Sequence, residues 1–377
     1  MKNKLIVVLL ALVMALSLVT PAAMAADTIK IGGIGVLTGD NAKYGVAVKE
    51  GVDLYVKQVN AAGGLLGKQV EILWEDTQGD PAFAISAYNK LYEQDVVAIL
   101  GGVLSRETDA LANVTAEDGI PQVTPSATAY DVTTDRPNVF RTCFLDPFQG
   151  NAIASYMAQA GIKTVAILYD NATDYSLGLY EAFKTTAEEK GVEIVATESA
   201  AYGDKDYKTQ LTTIKNANPG AVFLPYYGAD AAMILAQAKE IGLDVNFYGG
   251  DGISDIVDMV TDKSLLTQLV YPDHFSAESE NEKAREFIKA YEQEYGKLPT
   301  ISFAATGYDA AVVLLSAIEA AGSTDKQAIV DAIKATDLVA VSGRIVFDDH
   351  NDPTSKSAYL LTFDATGEKK LLGQVDP

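Results

Sequence analysis

The sequence predicts an α/β fold made of two doubly wound, Rossmann-like lobes, and three observations carry that prediction. Short β-like runs alternate with longer segments whose apolar residues recur at helical spacing, the pattern of a parallel sheet with helices on both faces. The series occurs twice, in two units of similar size that meet at Asp146-Pro147. The C-terminal third holds amphipathic helices and hairpin-like strands in place of a third series, so it is expected to complete the two units.

The elements follow in order. Residues 29–36 (IKIGGIGV) read as the first strand, and 44–62 as a helix with Val48, Val52, Tyr55, Val56 and Val59 on one face. Then come a strand at 70–74, a helix at 81–93, a strand at 96–100, a helix at 105–117 and a short strand at 121–124. The second unit reads as helix 150–160, strand 164–169 (TVAILY), helix 177–190, strand 192–197 and helix 206–216. It continues with strand 221–226 (AVFLPY), helix 229–241 and strands at 245–248 and 266–271. Long amphipathic helices are expected at 281–295 and 302–321, a shorter one at 325–335, and hairpin-like strands at 344–347 and 358–363. No fixed period marks a solenoid.

The first residues read as an export signal. Lys2 and Lys4 precede an apolar run at 5–19, Pro21 breaks it, and Ala23-Met24-Ala25 is a small-x-small cleavage site. Residues 1–25 are therefore expected to be removed near Ala25. No cysteine stands there to carry a lipid, so the mature chain is expected free in the periplasm as a soluble protein, with no second long apolar stretch. About 350 residues remain, enough for two domains.

Composition excludes several functions. The net charge of −22 becomes about −24 without Lys2 and Lys4, and such a polyanion attracts neither nucleic acid nor anionic lipid. A lone Cys143 forms no intrachain disulfide and is expected to pack as a small hydrophobe. With only His274 and His350, a Cys–His pair or a His/Cys metal cluster has too few members. Residues 33–38 (GIGVLT) begin like a dinucleotide fingerprint but end in Thr38, and no phosphate loop or H-E-x-x-H occurs. The acidic run 348–352 (DDHND) lacks the glycine and distal glutamate of a calcium loop. No catalytic residue, metal or cofactor is expected, and the chain reads as a binding protein, not an enzyme.

Several segments in shared order carry a family resemblance: 31–45 (IGGIGVLTGDNAKYG), 59–64 (VNAAGG), 101–108 (GGVLSRET), 124–129 (TPSATA) and 140–150 (FRTCFLDPFQG). Residues 226–228 (YYG), 249–252 (GGDG) and 305–311 (ATGYDAA) continue it. Over essentially the whole mature chain the sequence resembles type I periplasmic binding proteins, in the leucine/isoleucine/valine-binding branch. The resemblance implies a three-crossing hinge near Leu145, His274 and Pro353. Lobe 1 would be 27–145 plus 275–353, and lobe 2 would be 146–274 plus 354–377. It further implies a monomer that closes around a small-molecule amino acid and delivers it to inner-membrane ABC permease subunits with their ATPases.

Ser105 follows the flexible pair Gly101-Gly102 and opens a helix, so its N–H and hydroxyl suit a carboxylate, although a plain N-cap serine would look the same. The resemblance assigns Ser105 and the Thr128 N–H to the ligand carboxylate. It assigns the Ser126 carbonyl, the Thr128 hydroxyl and Asp251 to the ammonium group. Without it, 124–128 would be a turn and Asp251 a loop aspartate. Tyr175 and Tyr227 match residues that cover the ligand, and Tyr44, Leu104, Ala127 and Phe303 match an uncharged side-chain chamber. That chamber favours leucine, isoleucine or valine, with phenylalanine or alanine as alternatives. Asp251 is shorter than the glutamate common at its place. An amide, urea or aromatic-acid ligand, or a role in sensing for a receptor, are the rival expectations.

Overall fold

The computed structural model describes residues 28–377; the export signal expected at 1–25 lies outside the described residues. The first unit is a parallel sheet of β1 (Ile29–Gly35), β2 (Val70–Asp76), β3 (Ile99–Gly101), β4 (Gln122–Thr124) and β5 (Val139–Arg141), in the order β2-β1-β3-β4-β5. Helices α1 (Ala42–Ala61), α2 (Pro81–Tyr92) and α3 (Ser105–Glu117) alternate with these strands. A central strand covered on both faces needs a continuous apolar or small run, and IKIGGIG in β1 supplies it. Asp80 fixes the start of α2, accepting from the N–H groups of Ala82 and Phe83, with Pro81 in the first turn.

The second unit begins with α4 (Asp146–Gln159) and β6 (Thr164–Asp170), followed by α5 (Asp174–Glu189), β7 (Glu193–Ala200), α6 (Lys208–Asn216) and β8 (Ala221–Leu224). It continues through α7 (Gly228–Glu240), β9 (Asn246–Gly249) and β10 (Leu269–Asp273). The chain then returns to the first unit with α8 (Glu282–Tyr295), α9 (Phe303–Ala321), α10 (Lys326–Lys334) and the hairpin β11 (Asp337–Ala340) and β12 (Gly343–Val346). It ends in β13 (Ala358–Phe363) and β14 (Lys369–Val375), which extend the second sheet to the order β14-β13-β10-β9-β8-β6-β7.

The buried clusters follow this routing. One joins Ile31, Val48, Leu100 and Phe140 with Phe287, Leu314 and Ile345. Others join Leu168, Val222 and Phe247 with Leu361 and Phe363, and Val165 and Phe183 with Leu360. The C-terminal third therefore contributes helices to one core and strands to the other.

Three expectations need correction. The second sheet is mixed, because β13 runs antiparallel to both β10 and β14. The hairpin-like strands expected at 344–347 and 358–363 are present as β12, paired with β11, and β13, paired with β14. Val341 and Ser342 turn the chain tightly from β11 to β12, because the buried Asp309 carboxylate accepts both of their N–H groups at 2.7 and 2.8 Å. Residues 263–268 form a 3-10 turn, begun where Asp262 accepts from the Ser264 N–H, so the strand expected at 266 starts at Leu269. Finally, α9 is by length and composition long and apolar enough to cross a membrane, a second apolar stretch the sequence reading missed; here it is mostly buried in the first core.

Candidate functional site

The site lies where loops at the carboxyl ends of both sheets face each other. On the first-unit side, Gly101 at φ 127° ends β3 and turns the chain toward α3. The buried Glu107 carboxylate accepts the N–H groups of Val103 and Leu104 at 3.0 and 3.1 Å, so this loop is tied to its own helix. Ser105, 2% exposed, opens α3, and its Oγ accepts the Ala129 N–H at 3.2 Å. The Ser126 hydroxyl donates to the Val103 carbonyl at 2.9 Å. These bonds join the loops after β3 and β4 into one surface. Arg141, fully buried, locks it from below by donating to the carbonyls of Ala127, Ala129 and Tyr130 and to Asp352.

On the second-unit side, Asp251 follows β9 and is 1% exposed. Its Oδ1 accepts from Gln149 Nε2 at 3.0 Å, and its Oδ2 lies 2.8 Å from His274 Nε2. A carboxylate only accepts, so His274 carries its proton on Nε2; its Nδ1 is buried without a partner. Tyr175 and Tyr227 stack at 4.7 Å, and the Tyr175 hydroxyl accepts the Gly252 N–H at 2.8 Å. Glycine is required at 250 and 252, because a Cβ at either would lie 2.6 Å from Tyr175 Oη.

The two sides touch. Tyr44, from α1, accepts the Gly228 N–H at 3.0 Å, and its hydroxyl lies 2.5 Å from both Asp255 Oδ1 and the Gly252 carbonyl. Its ring stands 6.0 Å from Tyr227 and 5.4 Å from Phe303. Burial, with Asp146 and Asp251 adding their charge, drives the Tyr227 hydroxyl well above its ordinary pKa, opposed by the Ser105 N–H. Burial, with Asp255 adding its charge, drives the Tyr44 hydroxyl well above its ordinary pKa.

Acidic groups crowd the floor of this contact. Asp146, the first residue of α4, is fully buried. Its Oδ1 accepts from Gln149 Nε2 at 2.9 Å, and its N–H donates to the Thr128 carbonyl at 2.9 Å. Burial first, and then the neighbouring Asp251 charge, push its carboxyl well above the usual range, against the pull of Thr128, Gln149 and Arg141. Burial likewise raises Asp255 to about 6, opposed by Tyr44 and Lys43.

The residues singled out in the sequence thus meet in one place, with Ala127 set a little apart. Leu104, at the entry to α3, is buried in the same cluster as Tyr44 and Phe303. Ala127 packs beneath α3 with Ala112, Val132 and Val139, so its methyl group belongs to the first-unit core, away from the Tyr44–Phe303 chamber.

A model of the periplasmic binding protein family matches residues 28–368. The chain belongs to this family. It is 32% identical over 333 residues to the leucine-, isoleucine-, valine-, threonine- and alanine-binding protein of Pseudomonas aeruginosa, covering 87% of this chain and 88% of that one. A branched-chain amino acid transporter substrate-binding protein from Streptococcus pneumoniae, solved with isoleucine, superposes with a TM-score of 0.86 at 32% identity, covering 93% of this chain and 100% of that one. A leucine-binding protein from Thermotoga maritima gives 0.87 at 31%, covering 93% and 99%. A Rhodopseudomonas palustris solute-binding protein holding benzoate gives 0.84 at 24%, covering 93% and 97%, a likeness of fold alone.

Sequence reasoning missed four buried polar groups of this family member: Asp146, Gln149, His274 and Asp255. The L-D-P-F-Q-G run put Asp146 and Gln149 three apart on one helical turn, which was a readable signal. His274 and Asp255 gave none, because their partners lie on other elements.

Proposed function

We propose that this protein is the substrate-binding component of an ABC importer and that its lobes close around an aliphatic, branched-chain L-amino acid. The observation that carries this reading is the opposition across one cleft of N–H and hydroxyl donors at Ser105 with a buried carboxylate at Asp251. A zwitterion needs both. Ser105 and the Thr128 N–H would take the ligand carboxylate. Asp251, the Ser126 carbonyl and the Thr128 hydroxyl would take the ammonium group. Tyr44 and Phe303 would face the aliphatic side chain with their rings, and Tyr175 and Tyr227 would cover it. An aromatic acid would leave the Asp251 charge buried and unpaired, which is costly.

Closure would turn about chain crossings near Leu145, His274 and Pro353, between lobes of 27–145 plus 275–353 and 146–274 plus 354–377. The working form would be an exported periplasmic monomer, cleaved near Ala25, with no catalytic step of its own. It would hand its ligand to membrane permease subunits driven by their ATPases. The test is thermal melting of ligand-stripped protein against the twenty amino acids. Leucine, isoleucine or valine should stabilise it by about 2.7 kcal/mol at about a hundredfold excess over Kd. No shift with any amino acid would overturn the reading.

A further inference from the structure

Asp251 carries the charge that an ammonium group would meet, but its carboxylate is aimed by residues from distant segments. It stands in the short turn after β9, between Gly250 and Gly252. The partners of its two oxygens are Gln149 of α4 and His274, just past β10. Gln149 is fully buried and grips Asp251 at two points. Its Oε1 accepts the Asp251 N–H, and its Nε2 donates to Asp251 Oδ1, both at 3.0 Å. One planar amide therefore holds the main chain and the side chain of the same residue. It fits only one way round, because the N–H needs an acceptor and the carboxylate needs a donor. Nε2 also donates to Asp146 Oδ1 at 2.9 Å, so two carboxyl groups keep the amide in that orientation. Glycine at 250 leaves room for the grip, since a Cβ there would lie 3.2 Å from Gln149 Oε1.

We propose that Gln149 is the positioning residue of the ligand site, whose amide fixes the Asp251 carboxylate in the direction from which the ammonium group arrives. This rests on the amino-acid reading above and names what aims its charge. A hydrogen bond weakens steeply with misalignment, so a carboxylate free to rotate gives up part of the strength of a charged pair. His274 Nε2 holds Oδ2 at 2.8 Å, but a single bond at one oxygen lets the group swing about it. The bond from Gln149 to Oδ1 removes that freedom, and its bond to the N–H anchors the loop beneath. The amide is uncharged, and His274 Nδ1 is buried with no acceptor for a second proton. Both donors thus orient the carboxylate without neutralising it, and a buried carboxylate held this way gains from a cation brought by the ligand. Asp146, whose carboxyl burial pushes well above the usual range, can accept from Nε2 whether ionised or neutral, so its own charge is not required.

The test is a double-mutant cycle, read as L-leucine affinity by calorimetry on ligand-stripped wild type, Gln149→Met, Asp251→Asn and the double variant. Methionine keeps the length of the side chain and removes the amide. Gln149→Met should weaken leucine at least about tenfold. In the Asp251→Asn background the same change should cost less than about threefold, because the charge it aims is already gone. A residue that only supports the fold would cost the same in both backgrounds, so equal losses overturn the proposal, as does unchanged affinity in Gln149→Met. If that variant does not fold, Gln149→Glu takes its place in the cycle. Glutamate keeps the shape and the acceptor for the Asp251 N–H but sets an oxygen against Asp251 Oδ1, and the same two outcomes decide. Wild type that binds no amino acid would defeat the amino-acid reading itself, and this inference with it. Wild-type affinity in Asp251→Asn would remove Asp251 from the site and leave Gln149 nothing to aim. Equal losses across the cycle, with leucine bound and Asp251→Asn weakened, would defeat the role of Gln149 alone.

Discussion

Gly252 is where one methyl group would disturb the tyrosine stack on the second-unit side of the cleft. A Cβ there would sit 2.6 Å from Tyr175 Oη and 2.9 Å from Tyr227 Cδ1, in a stack with a 4.7 Å centroid separation. Gly252→Ala should leave each unit folded, because no left-handed backbone is at stake there. Leucine affinity should nevertheless fall at least about tenfold, since the overpacking, worth about 1–3 kcal/mol, displaces both tyrosines that would cover the ligand. Calorimetry with a melting control checks this; equal affinity would mean that the two tyrosines do not close over the ligand. Asp251→Asn should weaken leucine binding by about tenfold to a hundredfold while the melting temperature holds, because a charged hydrogen bond to the ammonium group is lost. Unchanged affinity would remove Asp251 from the site. Both residues were legible in the sequence because G-G-D-G is a local pattern. His274 was not, because the approach of another loop creates its role, whereas Asp146 offered only its spacing to Gln149.

The long elements were legible because periodicity accumulates with length: α8 and α9 begin within one residue of their expected starts. The three-residue strands β3, β4 and β5 carry too few residues for any period, and β5 went unread. The turn of the hairpin β11–β12 depends on Asp309, which is distant in sequence, so pattern alone left β11 unread. The most demanding element contact is the crossing of α1 and α9, which carries Tyr44 and Phe303 into the chamber. A Cβ at Gly51 would lie 2.0 Å from the Ala304 carbonyl oxygen, and one at Gly307 would lie 2.7 Å from that of Val48. The obstacle is backbone, so no side-chain rotation relieves it. Gly51→Ala should therefore lower unfolding free energy by about 1–3 kcal/mol or more, read by urea denaturation. An equally stable variant would show that these helices have room to part.

At the scale of the whole molecule, the contact between units contains its own titratable latch. Tyr44 reaches from α1 to Asp255, whose Oδ2 has no partner. The charged or titratable groups around Asp255 are Tyr44, Lys43, Lys369 and Tyr271. Burial in the closed form raises this carboxyl from its ordinary 3.8 to about 6. In an open form, exposed to water, it would return toward the ordinary value. Closing therefore takes up a proton between about pH 4 and pH 6, and the uptake favours the closed form as pH falls. Above pH 6 the closed form must bury an ionised carboxylate, at a cost of about 3 kcal/mol. The informative quantity is the difference between wild type and Asp255→Asn at each pH, in which pH effects common to both proteins cancel. The asparagine keeps an acceptor for the Tyr44 hydroxyl and carries no charge to bury. Asp255→Asn should bind leucine more tightly than wild type at pH 7, and the advantage should shrink toward pH 4. X-ray scattering of the ligand-free proteins at pH 7 should show the variant to be the more compact. Affinity profiles that run parallel from pH 7 to pH 4 would mean that Asp255 stays equally buried whether the cleft is open or closed, and that closure is set elsewhere.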